Sequence, residues 1–167
     1  TILPLGGKPL IDWTTETALS SDYIDKVIVS TEDHEIAEVA LKYGADIPFV
    51  RPKNLATDSS SSIDVVIDVI EKLENIGEFY HYIILLQPTS PLRTLENINE
   101  SIELLESSKS DAVISVCEAQ HSPLWSNIIS EGGDMSNFLD KSILNKRSQD
   151  LEQYYSCLLY TSPSPRD

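Results

Sequence analysis

Four hydrogen-bonding side chains crowd one short loop: Gln87, Thr89, Ser90 and Arg93, within the run QPTSPLR at 87–93. The loop follows an apolar stretch at 82–86. An apolar run of that length bounded by turn residues reads as a strand buried on both faces, as in a parallel sheet. Ligands of open α/β sheets sit just outside the carboxyl ends of such strands. Amide, hydroxyl and guanidinium groups at that place suit a polar or anionic ligand. Pro88 and Pro91 stiffen the loop and reduce the entropy lost when it holds one.

Three further clusters fall at predicted strand ends. Arg51, before Pro52, brings a planar fork of donors suited to a phosphate or a pyrimidine edge. An isolated surface arginine is the alternative. The stretch TDSSSS at 57–62 opens a predicted helix, and a helix start rich in hydroxyls and free N–H groups can receive an anion or a polar base edge. It can equally be a loop and a cap. STED at 30–33 is explained by capping alone, since Thr31 or Asp33 can accept from the first free N–H groups of the next helix.

The elements that must position these residues alternate. Helices are predicted at 8–20, with Pro9 in the first turn, at 33–43, stopped by Gly44, at 63–74, capped by Ser61 or Ser62, and at 95–107. In the second helix Ile36, Ala37, Ala40 and Leu41 share a face; in the third, Val66, Ile67, Ile70 and Leu73 do. Strands are predicted at 25–31, 46–50, 82–86 and 112–116. Strands alternating with helices imply right-handed βαβ units, hence an α/β fold with a mainly parallel sheet. Beyond 118 the periodicity weakens, with a candidate hairpin around Gly132-Gly133.

Composition narrows the function. With 12 Lys and Arg against 27 Asp and Glu, the net charge of −15 argues against nucleic acid or an anionic membrane as partner, because both need a basic face. A phosphate-bearing small ligand needs only a few placed donors and stays open. Nothing approaches the roughly 18 consecutive apolar residues of a membrane span, and the start lacks the basic and apolar regions of a signal peptide. Cys117 and Cys157 fit no metal spacing, so a reduced, cytoplasmic setting is expected. His34, His81 and His121 form no metal pair or catalytic triad pattern, and Gly6-Gly7 is a tight turn rather than a phosphate loop.

Both ends are expected to depart from an intact domain. The chain starts in a loop leading to the first helix, and SCLLYTSPSPRD at 156–167 has no periodicity. The expectation is a partial domain over 1–155, with its first strand missing, and a non-native or disordered tail over 156–167.

Four segments together carry a family likeness: LGGKPLIDWT at 5–14, VIVSTEDHEIAEVALKYGA at 27–45, RPKNLATDSSSSIDVV at 51–66 and LLQPTSPLRT at 85–94. In this order they resemble the acylneuraminate cytidylyltransferases, the CMP-sialic acid synthetases, and their relatives acting on legionaminic or pseudaminic acid. The resemblance runs from about residue 3 to residue 155. GGKPLI also occurs in broader sugar nucleotidyltransferases; the other segments are more specific.

The resemblance implies a Rossmann-like nucleotidyltransferase fold and cytidylyl transfer from CTP, with Mg²⁺, to a nine-carbon keto-acid sugar. By motif, Arg51, Asp58, Ser60 and Ser62 would shape the cytidine pocket, and Gln87, Thr89 and Ser90 would contact the sugar acid. Arg93 would tie the loop down, with sugar contact as the alternative. Arg147-Ser148-Gln149 loosely matches a stretch that reaches the sugar carboxylate. The family's glycine-rich phosphate loop would precede residue 1, and its metal-binding aspartates would follow Tyr155. The implied state is an inactive fragment of a homodimeric enzyme, with the Mg²⁺ ligands outside the chain. A non-catalytic nucleotide or sugar-acid module and a ketodeoxyoctonate-type cytidylyltransferase are the competing readings.

Overall fold

Gly6 and Gly7, with φ of 60° and 95°, turn the chain between β1 (Pro4–Leu5) and β2 (Lys8–Pro9). Positive φ at both central residues is the hairpin turn whose twist matches its strands. This computed structural model describes residues 1–57 and 59–157. Within it the chain divides into two compact units, Thr1–Val113 and a second beginning at Ile114.

In the first unit, α1 (Leu10–Leu19) starts directly after Pro9, whose fixed φ suits a helix entry. It buries Ile11, Thr14, Thr15 and Ala18 at helical spacing. The hairpin is fastened to it: the Trp13 indole donates to the Leu5 carbonyl at 2.9 Å, and the Lys8 ammonium lies 4.0 Å from the Trp13 ring centre. Lys8 also reaches the buried Asp12 carboxylate at 3.5 Å and bonds Glu16.

α2 (His34–Lys42) begins where Asp33 accepts from the Glu35 and Ile36 N–H groups. It ends at Gly44, whose φ of 91° lets the Ala45 N–H return to the Ala40 carbonyl at 3.1 Å. α3 (Ser62–Asn75) repeats the arrangement, with Ser61 capping Ile63 and Gly77 returning the Glu78 N–H to Leu73. α4 (Leu95–Ser108) opens with a reciprocal box between Thr94 and Asn97. All four predicted helices are present, but the first starts at Leu10 rather than residue 8, because Lys8 and Pro9 pair in β2.

The predicted strands fare differently. The Asp46 N–H donates to the Val27 carbonyl at 2.8 Å and Val29 N–H to the Asp46 carbonyl at 3.0 Å, a single parallel bridge centred on Ile28. The stretch at 82–86 makes no ladder among the described residues. Ile11, Ala40 and Ala45 form the core, with Val27, Val29, Ile36, Val39 and Ile47 packed on it. Val39 rather than Leu41 completes the packed face of α2, and Leu41 is 55% exposed. In α3 Ile67 also turns outward, while Leu73 is buried.

In the second unit, β3 (Val116–Glu118) pairs antiparallel with β4 (Tyr155–Cys157), Cys117 opposite Ser156. The strand expected at 112–116 thus starts its ladder only at Val116, where a partner exists. The glycine pair makes a turn closed by Gly133 N–H on the Ser130 carbonyl at 2.8 Å, without a flanking ladder among the described residues. Ser156 and Cys157 belong to β4; the rest of the expected tail, 158–167, lies outside the described residues.

Two stability predictions arise. Asp33→Ala should cost about 1 kcal/mol, read as a lower denaturant midpoint, by orphaning the two N–H groups it accepts. The second concerns Lys26, which bonds Glu78 at 2.7 Å and so joins the bridged segment to the end of α3. The Lys26 ammonium and then the Tyr80 hydroxyl hold the Glu78 carboxyl below its ordinary 4.5. Its folded-state pKa is depressed, so its contribution is present above 4.5 and lost as pH falls through the lower folded value. Glu78→Gln should therefore flatten the acid limb of a plot of Tm against pH.

Candidate active site

The parallel bridge carries the site. Because Val27–Val29 run alongside Asp46, the chain ends following them also meet, and Arg51 N–H donates to the Thr31 carbonyl at 3.0 Å. The Arg51 side chain then turns back onto Ser30. Its Nε donates to Ser30 Oγ at 3.2 Å, and Nη2 donates to the Ser30 carbonyl. Nη1 stands 4.0 Å from the Glu32 carboxylate.

The loop at 57–62 is held by its own hydroxyls. Ser60 Oγ accepts from Thr57 N–H at 3.1 Å and donates to the Asn54 carbonyl at 3.2 Å, with Thr57 Oγ1 2.8 Å away. Ser61 caps α3, which leaves Ser62 in the first turn of that helix. Ser60 therefore shapes the loop with its hydroxyl, and Ser62 stands exposed at a helix start with unspent backbone donors. Asp58 lies outside the described residues.

Gln87, Pro88 and Thr89 enter a turn closed by Ser90 N–H on the Gln87 carbonyl at 3.2 Å. Pro88 at the second position is the residue such a turn prefers. Arg93 sits one residue before the cap of α4. Its Nη1 is buried with no hydrogen-bond partner among the described residues, and burial holds the guanidinium's pKa below its ordinary value.

A cavity of about 650 Å³ in the first unit brings several of these together. Its lining includes the polar residues Ser30, Thr31, Arg51, Thr57, Ser60, Ser62 and Gln87 and the apolar residues Val27, Val29, Val66, Ile70, Ile83 and Leu85. Three predicted nucleotide-binding residues and one predicted sugar-binding residue thus share one wall set. Thr89, Ser90 and Arg93 lie outside that lining. Arg147 belongs to the second unit, where its guanidinium grips Asp150 at 2.9 and 3.1 Å.

Ser30 was readable only as part of a cap, yet it is the main partner of Arg51. The available signal was its place, since Ser30 and Arg51 each end a strand of one predicted parallel pair. As for a metal, no group of three or more His, Cys, Asp and Glu side chains that could hold one occurs among the described residues. No helix among them is long and apolar enough to cross a membrane.

Residues 1–157 match the cytidylyltransferase family. The chain is 37% identical over 150 residues to CMP-N,N'-diacetyllegionaminic acid synthase of Legionella pneumophila, covering 90% of this chain and 61% of that protein. It is 36% identical over 154 residues to pseudaminic acid cytidylyltransferase of Campylobacter jejuni, covering 92% and 66%. To N-acylneuraminate cytidylyltransferase of Escherichia coli it is 35% identical over 148 residues, covering 87% and 34%. The chain spans less than two thirds of the length of these relatives. With nearly its whole described length matched, the chain belongs to the cytidylyltransferase family.

Proposed function

We propose that the protein of which this chain is part transfers a cytidylyl group from CTP to a sialic-type nine-carbon keto-acid sugar. The observation that carries the reading is that Arg51, Ser60, Ser62 and Gln87 line one cavity. The relatives' names, CMP-legionaminic, pseudaminic and N-acylneuraminic, supply the acceptor class.

In this reading the anomeric oxygen of the sugar bonds the α-phosphorus as its proton leaves, and the bond to the β-phosphate oxygen breaks. Pyrophosphate departs and CMP-sugar forms. The work asked of these residues is orientation. Arg51 and the start of α3 hold the nucleoside, while Gln87, Thr89 and Ser90 hold the sugar acid. The unpartnered Arg93 Nη1 suits the sugar carboxylate, because a buried donor without an acceptor is costly until a ligand supplies one. Mg²⁺ would accompany the triphosphate, but the described residues do not make a site for it. We place the protein in the cytoplasm, which suits its two free cysteines, and as a homodimer.

The fold we propose is the Rossmann-like one, its parallel sheet completed by a further strand between Ile28 and the segment at 82–86, which both line the cavity. Ile28 turns its N–H and C=O away from Asp46, and the backbone at 82–86 has no backbone partner among the described residues. The apolar side chains beside them remain open, Ile83 at 49% and Leu85 at 37% exposure. Thr14 Oγ1 is buried on the same cavity without a partner. Unpaired strand edges of this kind are costly or are covered.

Three outcomes are expected. Lengthening the chain to match its relatives should yield pyrophosphate and CMP-sugar from CTP and an acylneuraminate-type acid; no CTP turnover with any such acid defeats the assignment. In that longer protein Arg93→Ala should raise the KM for the sugar at least about tenfold, and leave the KM for CTP near its original value. Hydrogen exchange at the Ile28 and Ile84 amides should slow markedly relative to the present chain, and equal rates would rule out the added strand.

A further inference from the structure

We propose that Ser30 is a positioning residue that sets the preference for cytosine over uracil by choosing which edge of Arg51 faces the ligand. A guanidinium has a side edge, Nε with Nη2, and an end edge, Nη1 with Nη2. Ser30 takes the side edge with two acceptors, its Oγ on Nε at 3.2 Å and its carbonyl on Nη2. The end edge is what remains to Arg51 on the cavity wall. Its only charged neighbour among the described residues is Glu32, 4.0 Å from Nη1 and too distant for a hydrogen bond.

Two parallel N–H donors match two adjacent acceptors. Cytosine offers such a pair, N3 and O2. Uracil carries a hydrogen on N3, which would oppose an Arg51 donor. An arginine free to rotate could instead meet uracil through O2 or O4 alone, so discrimination depends on how firmly the fork is held. The backbone supports the hold as well, since Arg51 N–H is bonded to Thr31 next to Ser30. Ser30 is placed for this by the parallel bridge at Ile28, two residues earlier.

This inference rests on the reading of Arg51 as a nucleotide-binding residue, and the test separates the two. CMP and UMP are titrated calorimetrically into the chain and its variants. The unsubstituted chain should favour CMP. Ser30→Ala should shrink the CMP-to-UMP affinity ratio about tenfold, the scale of one charge-assisted hydrogen bond, and Ser30→Thr, which keeps the hydroxyl, should restore it. Glu32→Gln, which removes the competing carboxylate, should tighten CMP severalfold without changing the ratio. A ratio unchanged in Ser30→Ala, or not restored in Ser30→Thr, overturns the role of Ser30 and leaves the nucleotide reading standing. No CMP binding by the unsubstituted chain, or binding unaffected by Arg51→Ala, defeats the nucleotide reading and this inference with it.

Discussion

The parallel contact between Val27–Val29 and Asp46 is the constraint on which the site depends. Two backbone hydrogen bonds there align two chain segments in the same direction, so both reach the same end of the unit together. Ser30, Thr31 and Glu32 then lie beside Arg51, although 21 residues separate Ser30 from Arg51. A side chain as long as arginine has many rotamers, and holding one of them costs entropy. The two Ser30 acceptors, its hydroxyl and its carbonyl, offset that cost before any ligand arrives. Preorganisation of this kind is what a binding residue needs in order to discriminate.

The same contact also defines what is unsatisfied. A strand paired on one edge presents its remaining N–H and C=O groups on the other. Ile28 does so here, and the backbone at 82–86 makes no ladder among the described residues. Apolar side chains of these segments, Val27, Val29, Ile83 and Leu85, line the cavity. Polar residues line it too, and several are already bonded, Arg51 to Ser30 and Thr57 to Ser60. The cavity therefore combines an apolar lining with polar groups that are held in place.

The second unit shows how weak strand signals become without a partner. Residues 112–116 have the apolar, β-branched composition of a strand, yet the ladder begins at Val116 and runs to Glu118 because β4 is there to meet it. Composition at 155–157 carried no such message. Likewise the exposure of Leu41 and Ile67 shows that an apolar stripe wider than the available neighbour leaves its margin in solvent.

What was legible in the sequence alone is local. Asp33 and Ser61 cap helices and Gly44 ends one through bonds spanning a few residues, so the helices expected at 33–43, 63–74 and 95–107 could be placed from spacing and stand at 34–42, 62–75 and 95–108. The motifs around Arg51, Ser60, Ser62 and Gln87 were legible for the same reason, and they pointed to the family. Tertiary structure alone decided which of those residues share a wall, that Ser30 is the partner of Arg51, and that Arg93 buries a donor without an acceptor. Strand pairing is a contact between distant segments. Its hydrogen bonds exist only when both edges are present, and no single segment encodes them.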